Sequence, residues 1–229
     1  MDRRTRKAEA TRARLIDAAR RLVAEHGPDA VTIAQITAAA DLGTGTFYNY
    51  FSTREEIITG VITDTLESMG QRLDAMTAQM ADPAEVFASS LRHLMGTAAS
   101  DPVWAWFVVR IGAAHPALIE VLGPRCSRDL QRGLDEGRFQ IDNLAMAADM
   151  VFGSLLAAIH SYLNSDRSGD QPAQYAELNL RMAGLTPADA AEVCARPLPD
   201  LPVLTDLTAA AGTAPTETAV APTPVGVGT

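Results

Sequence analysis

Apolar side chains recur every three or four positions along residues 10–195, which is the spacing of helices that bury one face. The first amphipathic helix is predicted from Thr11 until Gly27-Pro28 ends it. A short helix then begins after Thr32, whose hydroxyl is suited to cap it, and a third follows a tight break at residues 41–43. Three helices with a three-residue turn between the second and the third are the layout of a helix-turn-helix.

Longer helices are predicted for the body that follows, because capping residues and prolines suited to first helical positions recur along it. The predicted starts are Thr53, Asp82-Pro83, Asp101-Pro102, His115-Pro116, Asp142, Asp170 and Thr186-Pro187. The helix from His115 is expected to run towards Gly137, and the one capped by Asp142 is apolar on every side from residue 144 to 163. No window alternates apolar and polar residues with period two, so the sequence predicts an all-α fold.

The composition changes at Arg196. Residues 197–229 hold six of the 13 prolines and no lysine or arginine. Such a segment lacks the large apolar side chains that offset the entropy of ordering a chain. Residues 196–229 are therefore predicted to be a disordered tail, either inert or an interaction segment, and truncation after Arg196 is expected to leave folding intact.

The net charge of −9 argues against a protein that binds nucleic acid over its whole surface. The average hides an asymmetry, because residues 1–24 hold eight basic and three acidic side chains, a balance of +5 that leaves −14 for the rest. A basic head on an acidic body indicates a local partner site, although a solvated face is the commoner meaning of a charge run.

Several classes of site are disfavoured. Cys126 and Cys194 are 68 residues apart, without a CxxC pair or clustered histidines, so reduced thiols are expected and no metal site is predicted. No nucleophile elbow or phosphate-binding glycine loop is present, so no cofactor and no enzyme are predicted. The apolar segment 144–163 is interpreted as a buried helix because Asp149 disfavours insertion into a membrane, and without a signal peptide a cytoplasmic location is expected.

The stretch GTGTFYNYFSTREE, residues 43–56, concentrates rings and hydroxyls on the second short helix of the motif. In helix-turn-helix proteins this helix enters the major groove, and its N-terminal residues reach base edges. Thr44, Gly45 and Thr46 are small or hydrogen-bonding residues that suit this role. Tyr48 and Tyr50 could each bring a hydroxyl to a phosphate, although a core merely capped by both tyrosines explains them equally well.

The wider pattern favours the first interpretation. Over about residues 10–60 the chain resembles the DNA-binding domain of TetR-family bacterial transcriptional regulators. The matching stretches are EHG at the end of the first helix, VTIAQI in the second and GTFYNYFSTREEII after it. The resemblance implies a basic flexible arm at 1–9, a helix-turn-helix DNA-binding domain at 10–52 and a helical effector-binding and dimerisation domain at 53–195.

The resemblance also implies DNA contacts from the arm, the two short helices and their flanks. The residues are Thr32, Ala34, Gln35, Thr44, Gly45, Thr46, Tyr48, Asn49, Tyr50, Arg54, Arg3 and Arg4. Two positions depart from the family's pattern. Ala34 stands where relatives often carry a basic or polar contact residue, and Asp41 replaces a glycine frequent in the turn, although Asp tolerates a left-handed backbone better than most residues.

The sequence therefore predicts a transcriptional regulator, specifically a homodimeric repressor that a small, mostly apolar effector releases from a palindromic operator. Its expected partners are double-stranded DNA, a second copy of the chain and the effector, with no membrane. Two alternatives stay open. The regulator could answer to a protein partner instead of an effector, or a helical binding protein could carry a motif that no longer binds DNA.

The apolar helix at residues 144–163 is expected to carry the dimer interface, because a helix that is apolar all round must be covered on every side. Together with the neighbouring helix at 171–184 it would form a four-helix packing across a two-fold axis. The expected interface residues are Val151, Gly153, Leu155, Ala157, Ala158, Tyr175 and Leu178.

The effector pocket is expected along DPVWAWFVVRIGAAH, residues 101–115, which holds both tryptophans. Apolar walls with a few converging polar groups make a small-molecule site. The expected ligand-binding residues are Trp104, Trp106, Phe107, Arg110, Asp149 and His160. Simple core packing remains the alternative for Trp104 and Phe107.

Overall fold

The computed structural model describes residues 3–113, 115–165 and 170–203, with the side chain of Arg3 outside that description. Its elements are α1 (Arg3–His26), a 3-10 turn (Pro28–Ala30), α2 (Ile33–Ala39), α3 (Thr44–Phe47), α4 (Arg54–Thr77), α5 (Pro83–Ser100), α6 (Pro102–Ile111), α7 (Pro116–Val121), α8 (Gly123–Asp135), α9 (Leu144–Leu163), α10 (Gln171–Met182) and α11 (Pro187–Ala195). No strand occurs within these ranges, and the predicted all-α fold is confirmed.

The first three helices enclose a small aromatic core. Phe47 is fully buried, and Phe51 packs on it with 5.7 Å between the ring centroids. The turn between α2 and α3 passes through Asp41 with φ of 51°, the left-handed conformation that an Asp side chain tolerates. Arg14 holds this turn by donating to the main-chain carbonyls of Ala40 and Asp41. The tight break predicted between the two short helices is therefore present.

Helix α1 begins earlier than predicted. Residues 3–9 form its first two turns, so the flexible arm is wrong for the part that the structure describes. Arginine, lysine and alanine are good helix formers, and nothing in this segment breaks a helix. Thr11, the predicted start, lies inside the helix and donates its hydroxyl to the carbonyl of Lys7 at 2.9 Å.

One continuous helix connects the N-terminal motif to the body. Helix α4 spans 24 residues, which is about 36 Å at 1.5 Å per residue. The predicted cap is confirmed, because the hydroxyl of Thr53 accepts from the amide of Glu56 at 3.1 Å. The first half of α4 lies beside the end of α1 through Ile58, while its last turns lie beside α5 and α8 through Leu73 and Thr77. A shift at one end of this helix can therefore reach the other.

Two boundaries in the body differ from the prediction, while the Asp-Pro starts of α5 and α6 are confirmed. The helix expected to run unbroken from His115 is divided at Leu122 into α7 and α8. Pro124 explains the division, because it lacks an amide hydrogen and belongs in the first turn of a helix. Asn143 caps α9 in place of Asp142, with its side-chain oxygen accepting from a main-chain amide at 3.0 Å.

Helix α9 is long and apolar enough to cross a membrane by length and composition, and among the described residues α6 with the bent α7–α8 pair passes the same test. One face of α9 is nevertheless buried in the bundle. That face consists of Ala148, Val151, Leu155 and Ile159. The interpretation of residues 144–163 as a buried helix therefore holds for this face.

The segment that follows α11, residues 196–203, lies against α4 and α5, and we call it the C-terminal strap. Three side chains of these helices bond to its main-chain carbonyl oxygens. Arg92 donates to the carbonyl of Arg196 at 3.0 Å, and Arg72 donates to the carbonyl of Pro202 at 2.7 Å. A ring nitrogen of His93 bonds to the carbonyl of Pro199 at 2.8 Å. The disordered tail is therefore wrong for the strap, because these main-chain acceptors, the ion pairs of Arg196 with Asp82 and Glu85, and the packing of Leu201 against the core fix it. Residues 204–229 lie outside the described residues.

Truncation inside the strap is expected to destabilise the protein, contrary to the expectation from sequence. A chain that ends at Arg196 loses the acceptors of Arg72 and His93, and two lost hydrogen bonds cost about 1–2 kcal/mol. In a chain of this length the melting temperature should fall by about 2–8 °C. A chain that ends at Val203 keeps the strap and is the matched control. Equal melting temperatures for the two truncations would contradict a docked strap.

The same pair of truncations should differ in the pH dependence of stability. Burial lowers the pKa of His93 below its ordinary 6.5, while the hydrogen bond to the carbonyl of Pro199 opposes this shift and the nearby charge of Arg92 adds to it. The unfolded chain then takes up the proton first, so the stability is present above about pH 6.5 and is lost as the pH falls below it. Thermal melts from roughly pH 5 to 8 should show the steeper acid loss in the chain that keeps the strap.

Candidate functional site

The outer side of α2 begins with a reciprocal pair of hydrogen bonds. The hydroxyl of Thr32 accepts from the amide of Gln35 at 3.2 Å, and the side-chain oxygen of Gln35 accepts from the amide of Thr32 at 2.8 Å. This capping box fixes the first turn of α2. Thr32, Ala34 and Gln35 are all exposed there. The three predicted contact residues therefore share one accessible surface.

The adjoining surface of α3 leaves several hydroxyls free. Thr44, Gly45 and Asn49 are exposed, and Tyr48 exposes 59% of its surface. Thr46 and Tyr50 are half-buried. Within the described ranges no side-chain hydrogen bond engages the hydroxyls of Thr44, Thr46 or Tyr48. These groups can bond to a partner outside the chain.

The basic residues around this surface are not equivalent. Arg54 donates to the carbonyls of Val31 and Pro28, so it ties the start of α4 to the turn before α2. The positive charge of Arg54 lies near the surface, but the N–H groups that donate to these carbonyls are already engaged. The contact of Arg54 with a phosphate stays a prediction. Arg4 is exposed on the first turn of α1, and the side chain of Arg3 lies outside the described residues.

A cavity of about 50 Å³ lies inside the body between α4, α5, α8 and α9. Its apolar wall consists of Leu73, Phe87, Leu91, Leu94, Leu122, Val151, Phe152 and Leu155. Its polar border consists of Asp74, Thr77, Ser90, Arg125, Cys126, Arg128 and Asp129. An apolar wall with a few converging polar groups is typical of a small-molecule site.

Arg125 crosses from α8 to α4 at the polar end of the cavity. Its guanidinium donates to Glu67 at 2.8 and 3.1 Å and to Asp74 at 2.8 Å. It lies directly over Gly70, where a Cβ atom would stand only 2.7 Å from the guanidinium carbon, so a larger residue at this position would displace the guanidinium. The hydrogen bonds from Arg125 hold the pKa of Glu67 below its ordinary value. Arg125 thus fixes the distance between the two helices.

Arg128 and Asp129 complete the polar end. Arg128 donates to Asp74 at 2.9 Å and lies 2.8 Å from Asp129. Burial raises the pKa of Asp129, while its hydrogen bond from Arg128 opposes the shift. Burial also raises the pKa of the Cys126 thiol to about 12, so the thiol stays protonated. A hydroxyl in this cavity could donate to a carboxylate and accept from a guanidinium.

The structure brings together only three of the predicted ligand-binding residues, Trp106, Arg110 and His160, and places them away from the cavity. Trp104 and Phe107 are buried in the core. Arg110 lies over the ring of Trp106 at 5.4 Å, and the ring of His160 meets Trp106 edge-on at 6.0 Å. Arg110 is exposed, so it needs no buried partner. The described lining of the cavity includes none of these five residues, and the predicted pocket stays a prediction separate from the cavity.

Asp149, the sixth predicted residue, is exposed beside a separate surface groove. The charged residues of the cavity were missed instead. Arg125, Arg128 and Asp129 recur at spacings of three and four on one face of α8. That recurrence was the available signal, but a charged stripe on a helix usually indicates a solvated face.

One face of α9 has no cover within the chain. Met146 and Met150 expose 56% and 53% of their surfaces, and Gly153 and Ala157 continue the exposed row at helical spacing. We call these four residues the α9 stripe. Leu178 on α10 exposes 60%. Apolar side chains exposed in a continuous row indicate an interaction surface.

The predicted dimer interface needs correction at three positions. Val151, Leu155 and Tyr175 are buried inside the chain, with 2%, 4% and 8% of their surfaces exposed. The hydroxyl of Tyr175 donates to the carbonyl of Val151 at 2.9 Å and so ties α10 to α9. Because successive helical residues turn by about 100°, Val151 and Leu155 face away from the α9 stripe. Ala158 is half-buried.

Two family models match successive parts of the chain. Residues 15–61 match the bacterial regulatory proteins of the tetR family, and residues 82–196 match the tetracyclin repressor-like C-terminal domain. The chain belongs to the TetR family. It is therefore a bacterial DNA-binding transcriptional regulator of the helix-turn-helix type. The family indicates regulation rather than catalysis.

Individual proteins of known structure or sequence agree with the TetR assignment. The crystal structure of RolR in complex with resorcinol is 49% identical, with a TM-score of 0.69 and coverage of 86% of this chain and 100% of that one. An uncharacterised HTH-type transcriptional regulator of Mycobacterium tuberculosis is 27% identical over 64% of this chain and 86% of its own. The regulator BetI of Brucella suis is 26% identical over 71% of this chain and 94% of its own.

Proposed function

We propose that this TetR-family chain is a cytoplasmic, homodimeric repressor that leaves a palindromic operator when a small phenolic molecule binds in the cavity. The observation that carries the proposal is the polar end of the cavity, where two arginines and two aspartates from α4 and α8 border an otherwise apolar space. The 49% identity with RolR, whose structure contains resorcinol, supports the class of ligand.

A phenolic ligand suits both parts of the cavity. Its ring would lie against Leu94, Leu122 and Leu155, which form part of the apolar wall. A hydroxyl would donate to the carboxylate of Asp74 and accept from Arg125, and charge-assisted bonds of this kind are stronger than neutral ones. The volume of about 50 Å³ is smaller than the roughly 150 Å³ of a cavity that holds benzene, so a single ring would enter only as the surrounding helices move apart.

The mechanism would be a shift between two conformations. A ligand that bonds to Asp74 or Arg125 competes with the ion pairs that now hold α8 against α4. Because α4 is continuous with the N-terminal motif, a movement of its last turns changes how the two motifs of a dimer are spaced. Motifs that no longer fit successive major grooves release the operator.

Operator binding is tested by selecting fragments bound from random DNA. We expect a palindrome whose half-sites are separated by one helical turn or a multiple. Thr46→Val should change the preference at one or two base pairs, whereas Tyr48→Phe should weaken all sequences by a similar factor, about two- to tenfold. A selection that enriches no sequence would contradict operator recognition.

The effector class is tested by adding resorcinol to the operator complex. Resorcinol should release the DNA, and the operator should weaken resorcinol binding by the same factor, since linkage is reciprocal. If resorcinol and other single-ring phenols leave the DNA affinity unchanged, the phenolic effector is wrong. DNA binding would stand, and control by a protein partner would replace it.

A further inference from the structure

Phe152 stands between two separate spaces in the body. On one side is the cavity, which it borders together with its neighbours Val151 and Leu155. On the other side is an open groove between α7, α8 and α9, which Phe152 borders together with Ala148 and Asp149. Among the described lining residues, Phe152 alone belongs to both spaces.

The geometry of α9 explains this position. At about 100° per residue, Phe152 points about 80° away from the mean direction of Val151 and Leu155 and close to that of the groove residues. Its side chain is half-buried. The groove face lies about 120° from the α9 stripe, so covering the stripe with a second copy leaves the groove on a different side of the helix.

Helix α8 has the same arrangement on the opposite side of the ring. Cys126 borders the cavity and its neighbour Ser127 borders the groove. The α8 residues Gly123, Cys126 and Ser127, which border the two spaces, carry small side chains, so the ring of Phe152 is the bulky group where both spaces meet. We expect removal of the ring to join the two spaces.

We propose that Phe152 is the partition that sets the size limit of the effector, and that a ligand longer than one ring can bind only by displacing it into or across the groove. The inference rests on the proposed effector site. The inference concerns the size of ligand that the cavity accepts, which is a different property from the class of ligand, because a phenol could bind whether or not the ring of Phe152 limits the cavity.

The first experiment compares two probes on Phe152→Ala and the wild-type chain. Resorcinol should bind to both. A resorcinol that carries a six-carbon chain should bind to the wild type weakly and gain at least about tenfold in affinity, relative to resorcinol, on Phe152→Ala. Leu91→Ala enlarges the cavity on the α5 side without reaching the groove, and this control should not show the gain. A wild-type chain that binds both probes equally would overturn the proposal.

The second experiment needs no effector. In a Cys194→Ser background Cys126 is the single thiol. Its rate of alkylation by neutral iodoacetamide reports access to the cavity, because water must reach the buried thiol to ionise it and the reagent must reach the thiolate. Phe152→Ala should react at least about tenfold faster than the background chain, and Leu91→Ala should not. Equal rates for all three chains, or equal acceleration in both variants, would refute the partition. If the wild type binds no phenol, the proposed effector fails and this rate alone decides the role of Phe152.

Discussion

Gly153→Arg is expected to give a monomer that binds its operator at least about 100-fold more weakly than the wild type. Gly153 lies in the exposed α9 stripe between Met150 and Ala157. If two copies meet on this stripe, the substitution places like charges and bulk at their closest approach. Each monomer would then hold only one half-site, and the avidity of a bivalent contact, about 10²–10⁴, would be lost.

The measurement combines sedimentation velocity with fluorescence anisotropy on labelled operator DNA. Ala191→Arg is the matched control, because Ala191 is exposed on α11 and lies outside the stripe. It should remain a dimer with unchanged affinity. A wild-type chain that sediments as a monomer at micromolar concentration would contradict the interface, and so would a dimeric Gly153→Arg.

Arg125→Ala is expected to remove the effector response. The substitution deletes the bonds to Glu67 and Asp74 and exposes a gap over Gly70. Loss of a hydrogen bond to a charged group should lower resorcinol affinity by about 10- to 100-fold. The free energy of unfolding should fall by about 1–3 kcal/mol, less than for a fully buried pair because the side chain is 21% exposed.

Two further variants separate ligand contact from simple loss of stability. Arg132→Ala removes another tie on α8, whose guanidinium donates to the carbonyl of Ala81 at 2.6 Å but does not border the cavity. It should lower stability without changing resorcinol affinity. Arg125→Lys keeps the charge but not the paired donors, and it should recover little of the response. Full induction in Arg125→Ala would place the effector elsewhere.

The helix-turn-helix could be predicted from the sequence because its signals are local. The cap at Thr32, the left-handed turn at Asp41 and the spacing of Phe47 and Phe51 each determine structure within a few residues. The family resemblance then gave these positions a function. The same kind of signal located the Asp-Pro starts of α5 and α6.

The cavity could not be predicted in this way, because it depends on which helices meet. Arg125 looks like part of a solvated stripe until α8 packs over Gly70. Trp104 and Phe107 attracted the prediction because large rings are frequent in binding sites, but such rings also fill cores, and here they do. The strap gave no signal because its contacts, from main-chain carbonyls and from the side chain of Arg196, join residues that are distant in the sequence.

The close approach of Arg125 to Gly70 has a practical consequence for building biosensors from this chain. A library meant to change the recognised compound would randomise the wall positions, such as Leu94 and Leu122, and would keep glycine at position 70. A side chain there would displace the guanidinium that two carboxylates hold, so such members would alter the contact between the cavity and α4 together with the specificity. Ligand binding and DNA release would then have to be measured separately for each member.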